Sequence, residues 1–288
     1  MHGLGQGTLS NVKNGLSGGG ALLRVDQPWS DAHLAALYDA LTYDEDVPLY
    51  LELAAAEGGR VFELACGAGR VAVPLARAGH RVVGFDASRE MLSLARQKVA
   101  GAPELDGRLR LVEADLRTFD LLQHAPFDLA IVAVKSLAYL TERADQLAAL
   151  QRAAAHLRPN GLLAIDFLHP RPEWLSAPPG SMYNDILQHS AEHAITISRV
   201  ECVLRTDLSR QVRVVRSAYE VIDDHASVLS KRFVEWAYRY THRFEAEHLL
   251  ERAGFSIEAL YGGYQREPFT SESRSMLFLA RRRGWAAG

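Results

Sequence analysis

Two cysteines in 288 residues are too few for a disulfide scaffold, so Cys66 and Cys202 fit a reducing compartment. No apolar run approaches the roughly 20 residues that a membrane helix needs, and no membrane partner is expected. Charge of one sign is also lacking: 32 Lys and Arg stand against 35 Asp and Glu, a formal −3. That balance leaves no electrostatic footprint for a nucleic-acid backbone. The short run Arg281-Arg282-Arg283 reads as a solvated end. No Walker lysine motif is present, and the letters G-x-S-x-G occur only in the Gly- and Ser-rich opening (Gly15 to Gly19), without the strand-to-helix elbow a nucleophile needs, so hydrolase and kinase readings lack support. The opening residues are rich in Gly, Ser and Asn and have no apolar signal-peptide core. Residues 1–24 are expected to be a disordered leader without a targeting signal, and the protein is expected to be cytoplasmic.

What is present is a long alternation of strand and helix patterns. The chain is larger than one simple domain, so a core with an insertion is expected. Asp31 to Tyr43 carries Leu34, Leu37, Tyr38 and Leu41 at helical spacing, and a second helix follows the acids Asp44-Glu45-Asp46, which read as solvated caps. From residue 60 the reading is strand 60–65, helix 70–78, strand 81–86, helix 89–100, strands 109–113 and 127–134, helix 143–157 and strand 162–167. Ser88 suits a helix N-cap, and Pro159-Asn160-Gly161 a turn. Such alternation predicts an α/β fold with a doubly wound, mostly parallel sheet. Prolines 170, 172, 178 and 179 then interrupt the pattern. Three β-type runs follow, near 193–205, 210–222 and 228–240, and predict an antiparallel insertion over 171–240 that acts as a lid or substrate wall. A helix at 244–253, stopped by Gly254, and strands 256–261 and 275–281 complete the core, which is taken as 25–170 plus 241–284.

The most informative stretch is Val61-Phe62-Glu63-Leu64-Ala65-Cys66-Gly67-Ala68-Gly69-Arg70. Gly67 and Gly69 permit a tight turn and close approach of a ligand to the main chain. The same letters satisfy the dinucleotide pattern G-x-G-x-x-A, so the glycines alone are ambiguous. Glu63 distinguishes the two readings. A carboxylate at the end of this first core strand repels a pyrophosphate and attracts an ammonium or sulfonium group. S-adenosylmethionine carries both. Asp86, ending the next strand, suits a ribose diol, and Asp115 beside Leu116 suits an adenine amino group and its ring.

With E-L-A-C-G-A-G-R (63–70), G-F-D-A-S-R-E-M-L (84–92), E-A-D-L (113–116), F-D-L-A-I-V (127–132) and H-L-R-P-N-G-L-L-A-I-D (156–166), the chain resembles the class I S-adenosylmethionine-dependent methyltransferases. More narrowly it is similar to small-molecule N-methyltransferases of the glycine and amino-sugar type. The resemblance implies a seven-stranded Rossmann-like core whose last two strands form a hairpin. It also implies a cofactor site of Tyr38, Glu63, Gly67, Gly69, Arg70, Asp86, Ala87, Met91, Asp115, Leu116 and Val134. That subgroup usually has an Asn-Ser pair after the fourth core strand and a histidine three residues beyond the Ser; here stand Lys135-Ser136 and Tyr139. Tyr139 is therefore the candidate catalytic residue, to orient or deprotonate the acceptor, with Lys135, Arg239 and Tyr240 as candidate substrate contacts. Lys135 otherwise reads as a solvated lysine.

Met91 also fits an ordinary core position and Tyr38 an aromatic stripe. His189-Ser190-Ala191-Glu192-His193 spells H-x-x-E-H, but zinc ligation by that pattern needs both histidines on one helix face, and Ile195 onward alternates like a strand. No metal is expected. The expected activity is methyl transfer to a small molecule, with nitrogen as the favoured acceptor. The rivals are a nicotinamide-dependent oxidoreductase and a non-catalytic cofactor-binding module. The insertion is equally suited to form a homodimer interface.

Overall fold

A computed structural model describes residues 22–24, 31–41, 43–191 and 193–284. The bulk of the expected leader lies outside them, but Leu22–Arg24 form a strand, β1.

In chain order there follow α1 (Ala32–Ala40), α2 (Val47–Glu57), β2 (Arg60–Leu64), α3 (Ala72–Arg77), β3 (Arg81–Asp86), α4 (Arg89–Val99), β4 (Leu109–Glu113) and β5 (Phe127–Val132). Then come α5 (Arg143–His156), β6 (Leu157–Leu168), the single turn α6 (Pro172–Leu175), β7 (Met182–Ser190), β8 (Ile195–Asp207), β9 (Val212–Asp223), β10 (Val228–Arg239), α7 (Arg243–Arg252), β11 (Phe255–Tyr261) and β12 (Ser275–Arg282). Seven strands form one sheet in the order β11-β12-β6-β5-β2-β3-β4. Pairing is parallel from β6 to β4 and antiparallel at β12 and β11. The doubly wound, mostly parallel sheet with a closing hairpin is thus present as expected.

The central strands read as continuous apolar runs because both faces are covered. Successive side chains alternate between two cores: Leu129 and Ile131 of β5 pack with α2 and α3, while Ala130 and Val132 pack with α5 and α7. Local signals set the helix ends. Asp31 accepts the Leu34 N–H at 2.8 Å, Ser88 accepts the Met91 N–H at 3.1 Å, and Gly254 takes φ +96° after α7. The Pro159-Asn160-Gly161 turn is absorbed into β6 as a bulge: the register jumps from Phe127↔Leu157 to Leu129↔Leu162, with Asn160 at φ +62°. Pro172 stands at the first position of α6, where its missing N–H costs nothing, so one helical turn survives in the proline-rich stretch.

The insertion supplies four strands of a second sheet, β1-β10-β9-β8-β7, and β1 adds the fifth from before the core. It contains a strand, β7, that the sequence reading missed. The helix α1 sits beneath it, with Leu34, Leu37 and Leu41 packed against Ile197, Val215, Tyr219 and Trp236. The other side of α1, through Ala35 and Tyr38, meets Ala68, Met91 and Leu94 of the main domain. One helix therefore ties the second sheet to the glycine turn. His189 is the last residue but one of β7 and His193 lies in the bend before β8, each bonded to a local hydroxyl, at 3.0 Å to Thr196 Oγ1 and 3.2 Å to Ser190 Oγ. Glu192 of that motif lies outside the described residues. Among the described residues no helix is long and apolar enough to cross a membrane.

Candidate active site

β2 ends in a turn in which Ala65, Gly67 and Gly69 all have positive φ, at 55°, 53° and 75°. The two glycines serve different ends. A Cβ on Gly69 would stand 2.9 Å from Val73 Cγ2 and 3.3 Å from the Ala95 Cβ, so this glycine lets α3 and α4 close together. A Cβ on Gly67 would meet nothing within 4 Å, so Gly67 faces open space, as a main chain approached by a ligand must.

The helix after the turn starts at Ala72, two residues later than expected, because Arg70 is drawn away from it. Its guanidinium pairs with Asp46 through both nitrogens, Nη1 to Oδ1 and Nη2 to Oδ2 at 2.7 Å, and donates to the Tyr43 carbonyl at 2.9 Å. Asp44 and Glu45 are exposed as expected, but Asp46 is 0% exposed and caps nothing with its side chain, which corrects the reading for that acid. The pair anchors the start of α2 to the turn.

Glu63 is 3% exposed, and its Oε2 has no hydrogen-bond partner among the described residues. Burial pushes its carboxyl up to about 8, against the pull of Arg70, with Asp46 and Asp86 adding to the rise. Asp86, at the end of β3, accepts the Gly67 N–H and the Ser88 N–H, both at 2.8 Å. Burial raises its pKa, and these backbone donors oppose the rise.

A cavity of about 380 Å³ opens at these strand ends. It brings together Tyr38, Gly67, Asp86, Ala87, Met91, Asp115, Leu116 and Tyr139. Asp115 stays ionised, its pKa lowered by hydrogen bonds from Arg117 at 2.6 and 2.9 Å. A smaller lobe of about 110 Å³ shares Tyr38, Ala65, Gly67 and Ser136 with the first and adds Arg70 and Val134. Glu63 and Gly69 line neither lobe; they lie behind the turn.

Tyr139 ends a short 3-10 turn, Ser136–Tyr139, and meets Trp236 of β10 edge to face at 6.3 Å. Although the residue is 40% exposed, desolvation by the cavity wall, with Tyr38 and Tyr219 adding to it, holds its phenol above the ordinary range. A phenol that keeps its proton is a poor base and a good orienting group.

Three expected substrate contacts are engaged elsewhere. Lys135 is not solvated: its Nζ lies 3.2 Å from Asp166, and its N–H donates to the same carboxylate at 2.8 Å. Tyr264 bonds Asp166 at 2.6 Å and lies beneath the Lys135 ammonium. Arg239 donates to the Arg210 carbonyl at 2.7 Å, to Gln211 at 3.0 Å and to Glu245 at 3.2 Å. Tyr240 is 2% exposed and packs on Trp174. Arg239 is the last residue of β10 and Tyr240 follows it. The second sheet instead offers Trp236 and Ala237 to the larger lobe and Ile186 and Arg199 to the smaller. A one-residue error in register turns a strand inside out, and nothing local in the sequence marks which residues of β8 and β10 face inward.

Residues 61–161 match the family model described as a methyltransferase domain. The chain is 30% identical over 186 residues to trans-aconitate 2-methyltransferase of Azoarcus sp. (strain BH72), covering 62% of this chain and 67% of that protein. It is 28% identical over 226 residues to the cypemycin N-terminal methyltransferase of Streptomyces sp, covering 78% and 84%. Other curated relatives are matched over only 41% to 61% of their own length. Among solved structures, the CcbJ methyltransferase from Streptomyces caelestis superposes with a TM-score of 0.74 at 22% identity, covering 90% of this chain and all of that one, a likeness of fold. With carboxylates at the ends of β2 and β3, a glycine turn open to a ligand, and these matches, the chain belongs to the class I S-adenosylmethionine-dependent methyltransferases.

Proposed function

We propose that the chain transfers a methyl group from S-adenosylmethionine to a nitrogen of a small molecule. The observation that carries this reading is the two-lobed cavity at the strand ends, with the open face of Gly67 at the junction of its lobes.

The residues present fit the cofactor. Asp86 would hold the ribose, Asp115, Leu116 and Met91 the adenine, and Glu63, with a buried oxygen that has no partner among the described residues, would favour the cationic amino-acid end. Bound there, S-adenosylmethionine supplies a methyl group activated by a sulfonium centre. The chain's own contribution is alignment and exclusion of water. Holding two reactants in a near-attack pose can remove roughly 7–11 kcal/mol of barrier, and a neutral amine then needs no general base. The raised pKa of Tyr139 suits that chemistry, since its phenol stays protonated and can orient the acceptor by a hydrogen bond. Trp236 and Tyr38 close the larger lobe around that position, and the sheet of 182–239 acts as the lid. The cypemycin relative, named for an N-terminal acceptor, supports nitrogen.

Two measurements test the reading. Calorimetric titration of S-adenosylhomocysteine against NAD separates it from the oxidoreductase alternative; NAD binding without S-adenosylhomocysteine binding would end it. Labelled-methyl incorporation into pooled amines, alcohols and carboxylates then tests the acceptor. Label appearing only in ethers or esters would refute nitrogen.

A further inference from the structure

The main sheet has a second cavity, of about 540 Å³, at its other edge, where β2, β3, β4 and β5 begin. Its lining holds four arginines, Arg60, Arg81, Arg108 and Arg110, with His124 and no acid. Strand register brings the four together. Arg60 and Arg81, the first residues of β2 and β3, are direct cross-strand partners; Arg110 of β4 is the partner of Val83, and the Arg108 carbonyl accepts the Val82 N–H at 2.7 Å. Like charges opposite one another on neighbouring strands are destabilising. Among the described residues none of the four pairs with a carboxylate. Arg60 donates to the His124 carbonyl at 2.8 Å, Arg110 lies 3.3 Å from His124 Nε2, and the side chains of Arg81 and Arg108 bond to no described residue. Asp128, beside Phe127, accepts the Arg60 main-chain N–H at 3.1 Å but is held by the Arg158 side chain at 2.8 Å. Burial, and after it Arg110, keeps the His124 imidazole below its ordinary range. In a chain of net charge −3 this is a concentrated positive site.

The lining selects a class of ligand. A guanidinium presents a planar fork of N–H donors that matches phosphate oxygens, and forks on three adjacent strands suit neighbouring phosphates rather than one isolated anion. Val82, Val83 and Phe127 are buried and give the cavity an apolar floor. Its volume falls within the roughly 300–1,000 Å³ of small-molecule sites. β3 runs from this rim at Arg81 to the cofactor cavity at Asp86, five steps of about 3.3 Å, so about 17 Å separates the two. A small molecule held here does not reach the transferred methyl group. We propose that the cavity at the start of β2, β3 and β4 binds a small molecule through a diphosphate group, at a second site separate from that of the methyl acceptor. Inorganic pyrophosphate and a nucleoside diphosphate share that chemistry, and they differ in their use of the apolar floor. The site stands independently of the cofactor reading.

The full chain is titrated calorimetrically with inorganic pyrophosphate, GDP and orthophosphate in buffer of physiological ionic strength, with excess S-adenosylhomocysteine present to keep a nucleoside out of the cofactor cavity. Wild type should prefer pyrophosphate to orthophosphate by roughly tenfold, the worth of one further charge-assisted contact. The double variant Arg81→Gln with Arg108→Gln should weaken pyrophosphate roughly 10- to 100-fold. Arg252→Gln with Arg274→Gln removes the same charge from exposed positions outside the cavity and should change binding by less than about twofold. Because Arg81 and Arg108 bond to no described residue, the first double variant should melt no lower than wild type, so its lost affinity reads the site. GDP binding more tightly than pyrophosphate identifies a nucleotide as the ligand class, and equal affinities identify the diphosphate alone; both support the proposal. Wild type without preference for pyrophosphate over orthophosphate overturns it, whatever the variants do. Equal weakening in the two double variants overturns it in favour of overall charge. A single-stranded oligonucleotide that binds more tightly than GDP and is lost in Arg81→Gln with Arg108→Gln overturns it in favour of a polyanion surface. The pyrophosphate measurements hold even if S-adenosylhomocysteine does not bind, so failure of the cofactor reading is a separate result.

Discussion

On the proposed role of Glu63, its carboxyl, pushed up to about 8 by burial, should make cofactor binding a proton-releasing event. At pH 7 roughly nine ligand-free molecules in ten carry that proton, and an ammonium brought alongside favours the carboxylate, so binding expels about 0.9 proton. Apparent affinity for S-adenosylhomocysteine should therefore rise about tenfold per pH unit below pH 8, reaching a plateau roughly 100-fold above its value at pH 6. Glu63→Gln removes the proton release and flattens the profile. Stability moves in the opposite sense, because an acid whose pKa is higher folded than unfolded costs nothing below the unfolded value and its full amount above the folded one. Between 4.5 and about 8 that is about 3.5 pH units at about 1.4 kcal/mol each, a ceiling near 5 kcal/mol on what Glu63→Gln recovers in the ligand-free protein at pH 8.5, and nothing at pH 4. Titrations at pH 7 in phosphate and in Tris, whose ionisation enthalpies differ, read the released proton directly, and urea melts at pH 5 and 8.5 read the stability. Binding heat independent of buffer, or the same pH dependence in Glu63→Gln, would refute the reasoning.

Tyr139→Phe should lower kcat/KM for the acceptor roughly tenfold, the worth of one hydrogen bond, without moving the alkaline limb of the pH profile. A lost alkaline limb would make the phenol a base after all. Asp46→Ala leaves the Arg70 guanidinium, 14% exposed, without its counter-charge and should cost about 3–5 kcal/mol in urea, whereas Asp46→Leu with Arg70→Met should recover most of it. Gly69→Ala forces a side chain at φ +75° against Val73 and should cost about 1–3 kcal/mol of stability, while Gly67→Ala has room for its Cβ and should weaken cofactor binding more than it lowers Tm. Equal effects of the two glycine variants on binding and on stability would contradict the division of labour between them.

The fold was legible where the physics is local. Strand and helix alternate at fixed periods, Ser88 and Gly254 punctuate helices through bonds within four residues, and a parallel sheet with both faces covered leaves continuous apolar runs. β7 was not legible: its sequence, Met182 to Ser190, is mostly polar with Leu187 exposed, because it is an edge strand with one neighbour. Leu22–Arg24 escaped for a related reason, since three residues carry no period, and only pairing with Phe233 to Glu235 makes them a strand.

The candidate site divides along the same line. Glu63, Gly67, Gly69, Asp86 and Asp115 are recognisable because each sits at a strand end or turn that the local pattern defines. Lys135 was misread because its surroundings come from afar. It follows Val134, and both stand at positive φ, 58° and 54°, a conformation that a β-branched valine adopts only under constraint. The constraint is Asp166, 31 residues on, which accepts the Lys135 N–H and is itself held by Tyr264, another 98 residues away. No window of sequence contains all three. Arg199 and Trp236 share that illegibility, since their inward direction depends on a five-strand register set by hairpins on both sides. The proposed cofactor contacts are thus written in short motifs, whereas the side chains that the second sheet offers to the cavity are written in pairings across that sheet, which is where substitutions that change the acceptor while sparing the cofactor should be sought.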